Sequence, residues 1–213
     1  MDIAAERRDF DQGPLCEEDA GDDPIALFAR WLAQAQAANV LDPTAMTLAS
    51  ADASGKPSAR IVLLKGYGPG GFDFFTRYST RKGRDLADNP RGALLLHWRE
   101  LSRQVRVEGP IAMLSRAASA AYFATRPRGS QLAAQAASGL SRVPDRAALE
   151  QRMQAEEQRW KDSVVALPDD WGGYRTTPVL LEFWQGRPNR LHDRLVYERS
   201  DDGVAWQRYR LAP

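Results

Sequence analysis

The chain has 213 residues with 29 basic and 28 acidic side chains, a formal net charge of +1. A length of this order allows one large domain or two small ones and buries roughly 70% of the unfolded surface, so the core needs no disulfides. The charge balance excludes the basic excess of a nucleic-acid binder. The single cysteine, Cys16, excludes a disulfide framework, a CxxC pair and a cysteine zinc cluster.

Residues 1–21 are polar and acidic and read as a mobile leader without a signal-peptide pattern. Cys16, flanked by Glu17 and Glu18, reads as an inert thiol because neighbouring acids disfavour the thiolate. Asp22-Asp23-Pro24 is a helix start, a capping carboxylate followed by proline in the first turn. Ile25, Phe28 and Leu32, with Leu27 and Trp31, form a helical stripe that ends near Asn39. Strands follow at 45–51 and 58–65, joined by the turn cluster 52–57, then at 72–77, 92–98 and 103–109. A short helix spans 80–89, and longer ones 115–126 and 146–161, with Arg128-Gly129-Ser130 as loop after Pro127. The chain closes with strands at 179–184, 191–199 and 204–211, the last two joined by Asp201-Asp202-Gly203. Short connections favour sequential antiparallel strands, so the expected fold is mainly β: one β-barrel with helices around it, over residues 22–213. The apolar runs are strand-sized, so the expected location is the cytoplasm.

Four groups of residues carry chemistry. Thr80 is a plausible N-cap, which puts Arg81 and Lys82 in the first turn, where cations oppose the helix dipole. A bound dianionic phosphate would offset that, whereas solvated surface charges would not need one. Arg60 and Lys65 bracket the apolar run Ile61-Val62-Leu63-Leu64; they either snorkel at strand ends or serve two neighbouring phosphates. Arg190, His192 and Arg194 alternate, so on a strand they share one face, which suits open solvent or an anion. Tyr122 and Arg126 share a helix face, and with Ser130 and Lys65 they compose a second set of phosphate donors. No Walker loop, HExxH, GxSxG or metal set is present, so redox chemistry here requires an organic cofactor.

In this order, DPTAMTLA (42–49), RIVLLK (60–65), STRK (79–82), RQVRVEG (103–109), YFATRPRGSQ (122–131), WGGYR (171–175), EFWQG (182–186), RLHDR (190–194) and RLAP (210–213) resemble the pyridoxamine 5′-phosphate oxidase family of FMN-binding split β-barrels. The resemblance implies a homodimer that binds FMN and oxidises pyridoxine or pyridoxamine 5′-phosphate to pyridoxal 5′-phosphate. Hydride passes from substrate C4′ to flavin N5, and dioxygen then gives hydrogen peroxide. It implies that Arg60, Arg81 and Lys82 hold the FMN phosphate, and that Ile61, Val62, Leu63, Leu64, Lys65, Phe75, Thr76 and Gln104 line the flavin. Trp184 and Arg194 would enter from the other subunit, with the C-terminal strands forming the dimer contact. Lys65, Tyr122, Arg126 and Ser130 would grip the substrate phosphate, while Arg190, Leu191 and His192 cover the substrate ring. Arg190 and His192 would be the catalytic residues, with no metal.

Three departures from the family are visible. Gly139-Leu140 stands where the family has a Gln-Ser pair that contacts FMN. The leader reads Cys16-Glu17-Glu18 where well-studied members are arginine-rich, and Arg7-Arg8-Asp9-Phe10 is only a faint match to the family's N-terminal lid. Two alternatives are a phenazine-pathway type of flavin oxidase and a non-catalytic flavin-binding module.

Overall fold

A computed structural model of the protein describes residues 10, 12–140 and 142–213. Of the lid motif, residues 7–9 lie outside the described residues. Helix α1 (Glu17–Ala20) leads into α2 (Pro24–Ala37), where Asp23 accepts the Ile25 N–H at 2.8 Å as the capping sequence requires. The strands are β1 (Ala45–Ala51), β2 (Pro57–Leu63), β3 (Gly66–Gly68), β4 (Gly71–Arg77), β5 (Arg91–Trp98), β6 (Arg103–Met113), β7 (Trp171–Thr176), β8 (Leu180–Gln185), β9 (Asp193–Arg199) and β10 (Trp206–Arg210). Helix α3 (Arg81–Asp88) lies between β4 and β5, and α4 (Arg116–Thr125), α5 (Arg128–Ala136) and α6 (Arg146–Arg159) lie between β6 and β7.

All pairings are antiparallel, in the order β10-β9-β8-β6-β5-β1-β2, while β7 joins β6 to β4 and β4 to β3. Strand β6 makes the split in the barrel. Its first half, Arg103–Glu108, pairs with β8; its second half, Ile111–Met113, pairs with β7. The switch falls at Gly109-Pro110. A Cβ on Gly109 would lie 2.0 Å from the Thr177 carbonyl oxygen, so only glycine lets the two sheets part there.

Alternation along β1, β5, β6 and β8 buries Met46, Leu48, Leu94, Leu96, Val105, Val107, Leu181 and Phe183 in one core. Helix α2 closes it: Phe28 meets Phe72 edge-on at 4.9 Å, and Trp31 meets Phe183 at 5.3 Å. A second cluster around Phe123, Leu132, Val165 and Trp171 seats α4 and α5 on β7.

Several sequence expectations are corrected. Arg128-Gly129-Ser130 is the first turn of α5 rather than loop, because Pro127 precedes a helix as readily as it ends one. Strands β3 and β7 were not foreseen; the glycines of Gly172-Gly173 mask the strand pattern in β7. Strand β9 begins only at Asp193, and Pro188–Arg190 is a short 3-10 turn. Arg190, His192 and Arg194 therefore do not share a strand face. The leader's second half is packed, not loose: Leu15 is 5% exposed, and Arg210 on β10 bridges to Glu17 at 2.9 Å. Among the described residues, no helix is long and apolar enough to cross a membrane.

Candidate active site

Strand β4 ends at Arg77, and Tyr78-Ser79-Thr80 turns the chain into α3. Thr80 occupies the N-cap position, but its hydroxyl donates back to the Arg77 carbonyl at 2.8 Å and caps no helical N–H. The first-turn amides thus face outward uncapped, a ready anion site. Gly83 makes the turn tight: a Cβ there would lie 2.0 Å from the Tyr78 carbonyl oxygen.

Three cations gather at this turn. Arg60 of β2 reaches Asp85 at 3.6 Å and donates to the Leu48 carbonyl and the Ser50 hydroxyl, and Arg81 lies 4.0 Å from the same carboxylate. Asp85 is 4% exposed and also accepts from Ser50 at 2.7 Å. Among the described residues Lys82 has no carboxylate within ion-pair reach, and it donates to the Thr80 hydroxyl at 3.2 Å. Burial, then the charges of Arg60 and Arg77, push its ammonium below the usual lysine range. An excess of cation beside free amides is what a phosphate dianion would neutralise.

A cleft of about 510 Å³ opens beside this turn. Ile61, Val62, Leu63, Lys65, Phe75, Thr76, Lys82, Tyr122, Arg126 and Ser130 line it, together with Trp171. The structure therefore brings Lys65, Tyr122, Arg126 and Ser130 into one cavity with Lys82, while Arg60 and Arg81 are not among its lining residues. Leu64 differs: its side chain is 4% exposed and points into the core, which leaves only its backbone near the cleft.

At the far end, α4 stops at Thr125 because Pro127 follows, and Arg126 turns out of the helix in extended conformation. Its guanidinium lies 4.8 Å from the Trp171 ring centroid and 5.7 Å from that of Phe123. Arg126 Nη1 is buried with no hydrogen-bond partner among the described residues, and burial lowers the guanidinium's pKa. Such a donor is incomplete without an acceptor. Tyr122 stacks on Phe75 at 3.9 Å, and Ser130 sits in the uncapped first turn of α5.

The remaining predicted residues lie elsewhere in the chain. Gln104 pairs in register with Trp184, and both line a second cleft of about 350 Å³ with Leu95, Arg106, Glu182, Arg194 and Pro213. Gln104 thus belongs with Trp184 and Arg194, not with the strand from Arg60 to Lys65. Glu182, 6% exposed, accepts from Arg194 at 2.7 Å and Arg106 at 2.6 Å, and its hydrogen bond raises the Arg194 pKa.

His192 lies 4.7 Å from the Trp184 ring and 5.2 Å from that of Phe10. Its Nδ1 accepts the Arg187 N–H at 3.1 Å, which leaves Nε2 to carry the proton of the neutral ring. Burial, then the Arg190 charge, lower its pKa, so the ring is neutral at pH 7. Asn189 and Arg190 have φ of 55° and 64°, a left-handed pair that turns Arg190 toward Phe10. Leu191 is exposed.

Sequence reasoning gave no role to Asp85, Trp171 or Glu182. Asp85 could have been found from its i+4 spacing to Arg81. Trp171 and Glu182 stand at the start of the WGGYR and EFWQG segments. Among the described residues no group of His, Cys, Asp and Glu is arranged to hold a metal.

Comparison with known proteins gives a consistent result. The family model for pyridoxamine 5′-phosphate oxidase matches residues 32–160, and that for the pyridoxine 5′-phosphate oxidase C-terminal dimerisation region matches residues 171–213. The chain is 52% identical over 211 residues to a pyridoxine/pyridoxamine 5′-phosphate oxidase from Cupriavidus taiwanensis, with 99% of each chain covered. It is 50% identical over 212 residues to one from Rubrobacter xylanophilus, covering 100% of this chain and 97% of that one. Among solved structures, PhzG from Burkholderia lata in complex with tetrahydrophenazine-1-carboxylic acid superposes with a TM-score of 0.86 at 32% identity, over 92% of this chain and 95% of that one. On this evidence the chain belongs to the pyridoxine/pyridoxamine 5′-phosphate oxidase family, with its FMN-binding split-barrel fold.

Proposed function

We propose that this protein is a homodimeric cytoplasmic oxidase. It converts pyridoxine 5′-phosphate or pyridoxamine 5′-phosphate to pyridoxal 5′-phosphate with FMN and dioxygen, releasing hydrogen peroxide. The observation that carries the substrate assignment is Arg126, which lines the same cleft as Lys65, Tyr122 and Ser130 and whose Nη1 has no hydrogen-bond partner among the described residues. A phosphate monoester supplies the acceptors that this group lacks.

FMN fits the residues present. The uncapped first turn of α3 with Arg60, Arg81 and Lys82 suits its phosphate, and Ile61 to Leu63, Phe75 and Thr76 provide a wall for its ring. When bound, FMN supplies the electron acceptor that dioxygen later regenerates. Gln104, Trp184 and Arg194 of the partner subunit would complete the cavity, because in one chain they line a different cleft. Arg190 and His192 would enter with them, since His192 lies against Trp184. There Arg190 orients the substrate ring and assists removal of its proton, and the neutral His192 donates from Nε2 to hold that geometry.

Arg190→Asn removes the charge and tolerates the left-handed backbone. It should lower kcat by about a hundredfold, the scale of a lost acid–base contribution, with the FMN dissociation constant nearly unchanged. Equal losses in both, measured by turnover and by flavin fluorescence titration, would remove Arg190 from the reaction.

A phenazine-type substrate is the competing reading, favoured by the similarity to PhzG. A carboxylic acid of that type offers no phosphate for the Arg126 end of the cleft. Comparing turnover of pyridoxine 5′-phosphate with that of unphosphorylated pyridoxine separates the two. Equal rates at equal concentration would overturn the B6 phosphate assignment.

A further inference from the structure

Asp170 stands one residue before β7. Its carboxylate accepts from Ser79 Oγ at 2.6 Å, Ser138 Oγ at 2.8 Å and the Gly139 N–H at 3.3 Å. Its own carbonyl accepts the Tyr78 N–H at 2.6 Å. One residue thus joins three stretches: the start of β7, the turn that leads into α3, and the turn that follows α5. Arg77 crosses the same junction and donates to the carbonyls of Ala137 and Leu140. Burial works to raise the Asp170 pKa, but the hydrogen bonds from Ser79, Ser138 and Gly139, with the Arg77 charge, hold it below the usual range. It is a carboxylate at neutral pH.

The turn that Asp170 holds is the one whose amides face the anion site. Thr80 gives that turn no helix cap, so its geometry depends on what anchors Ser79 from behind. Arg84 also donates to the Ser79 carbonyl, at 2.6 Å. The other turn gripped by Asp170 carries Gly139 and Leu140, which lack the polar side chains of the Gln-Ser pair that the family places there. Neither can donate to a ligand from its side chain, yet the backbone around them is tied down. A fixed set of donors binds an anion more tightly than the same donors in a mobile turn, because less freedom is lost on binding.

We propose that Asp170 is a positioning residue for the cofactor phosphate, a clamp that fixes the Ser79–Lys82 turn against the Ser138–Gly139 turn. By pre-organising the turn it offsets the two donors missing at Gly139 and Leu140. This rests on the assignment of that turn to the FMN phosphate.

The test is titration of the apoprotein with FMN and with riboflavin, which has the same ring and no phosphate, followed by flavin fluorescence. Asp170→Asn replaces an acceptor oxygen by an amide that cannot accept from Ser79 and Ser138 as the carboxylate does. FMN should bind about tenfold more weakly, while riboflavin affinity stays within about twofold. Unchanged FMN affinity, or equal weakening of both flavins, would overturn the clamp. If that variant does not fold, Ser79→Ala removes one of the bonds and should weaken FMN about threefold with riboflavin unaffected; the same two results count against the proposal. Lys82→Met distinguishes the two levels of the argument. If it leaves the preference for FMN over riboflavin intact, the phosphate assignment itself falls. If it abolishes that preference and Asp170→Asn does not alter it, only the clamp falls.

Discussion

Arg126→Met is expected to lower kcat/KM for pyridoxine 5′-phosphate by two to three orders of magnitude, about 3–4 kcal/mol, chiefly through KM. Charge-assisted hydrogen bonds to a phosphate contribute roughly 1.5–3 kcal/mol each, and a guanidinium can make two in parallel. Here the guanidinium is already oriented by Trp171 and Phe123, so little ordering is lost when substrate arrives. The same variant should not destabilise the free protein. Its Nη1 is a buried donor without a partner, and a methionine of similar reach keeps the packing on Trp171 while removing that unsatisfied group. Steady-state kinetics together with thermal denaturation check both halves. A fall in kcat at constant KM would show that Arg126 serves the chemical step and not the phosphate.

Arg60→Met should have the larger effect on the fold. It leaves Asp85, 4% exposed, with the Ser50 hydroxyl and an Arg81 contact at 4.0 Å. Stranding a buried carboxylate typically costs about 3–5 kcal/mol; the remaining partners place this case near the lower end. FMN affinity should fall as well, because the same guanidinium borders the phosphate turn. The two effects are separable. In the double variant Arg60→Met, Asp85→Leu, the unpaired charge is gone, so most of the stability should return while FMN affinity stays low. Denaturant midpoints and flavin titration measure the pair; recovery of both together would mean that Arg60 acts only through the fold.

Much of the barrel was legible where local chemistry and tertiary context agree. Asp23-Pro24 and the stripe from Ile25 to Leu32 define α2 almost to the residue, and the 52–57 cluster marks the β1–β2 hairpin. Legibility fails where glycine or proline serves the tertiary structure. Gly172 and Gly173 weaken the strand signal of β7 because Tyr78, Ser119, Leu114 and Phe75 pack against their backbone. Pro127 reads as a stop for α4 but equally opens α5, and that second role puts Ser130 on a helix N-terminus. The alternation of Arg190, His192 and Arg194 was extended from a real strand into a turn, where a left-handed pair sets the direction instead.

Of the candidate site, the cations proposed as phosphate donors stand out in the sequence because they fall at a helix start and beside a proline break. Their partition was not. That Gln104 groups with Trp184 follows from the β6–β8 register, which no local pattern encodes. Asp170 was invisible for a similar reason: its partners lie 91 and 32 residues away in sequence.

The central claim is that one cleft holds FMN and a phosphorylated B6 vitamer in reacting contact. Mixing the purified protein with FMN and pyridoxine 5′-phosphate or pyridoxamine 5′-phosphate in the absence of oxygen tests it most directly. The account predicts that the yellow flavin absorption bleaches with at least one of the two and returns when air is admitted. A flavin that stays yellow with both phosphates would contradict it.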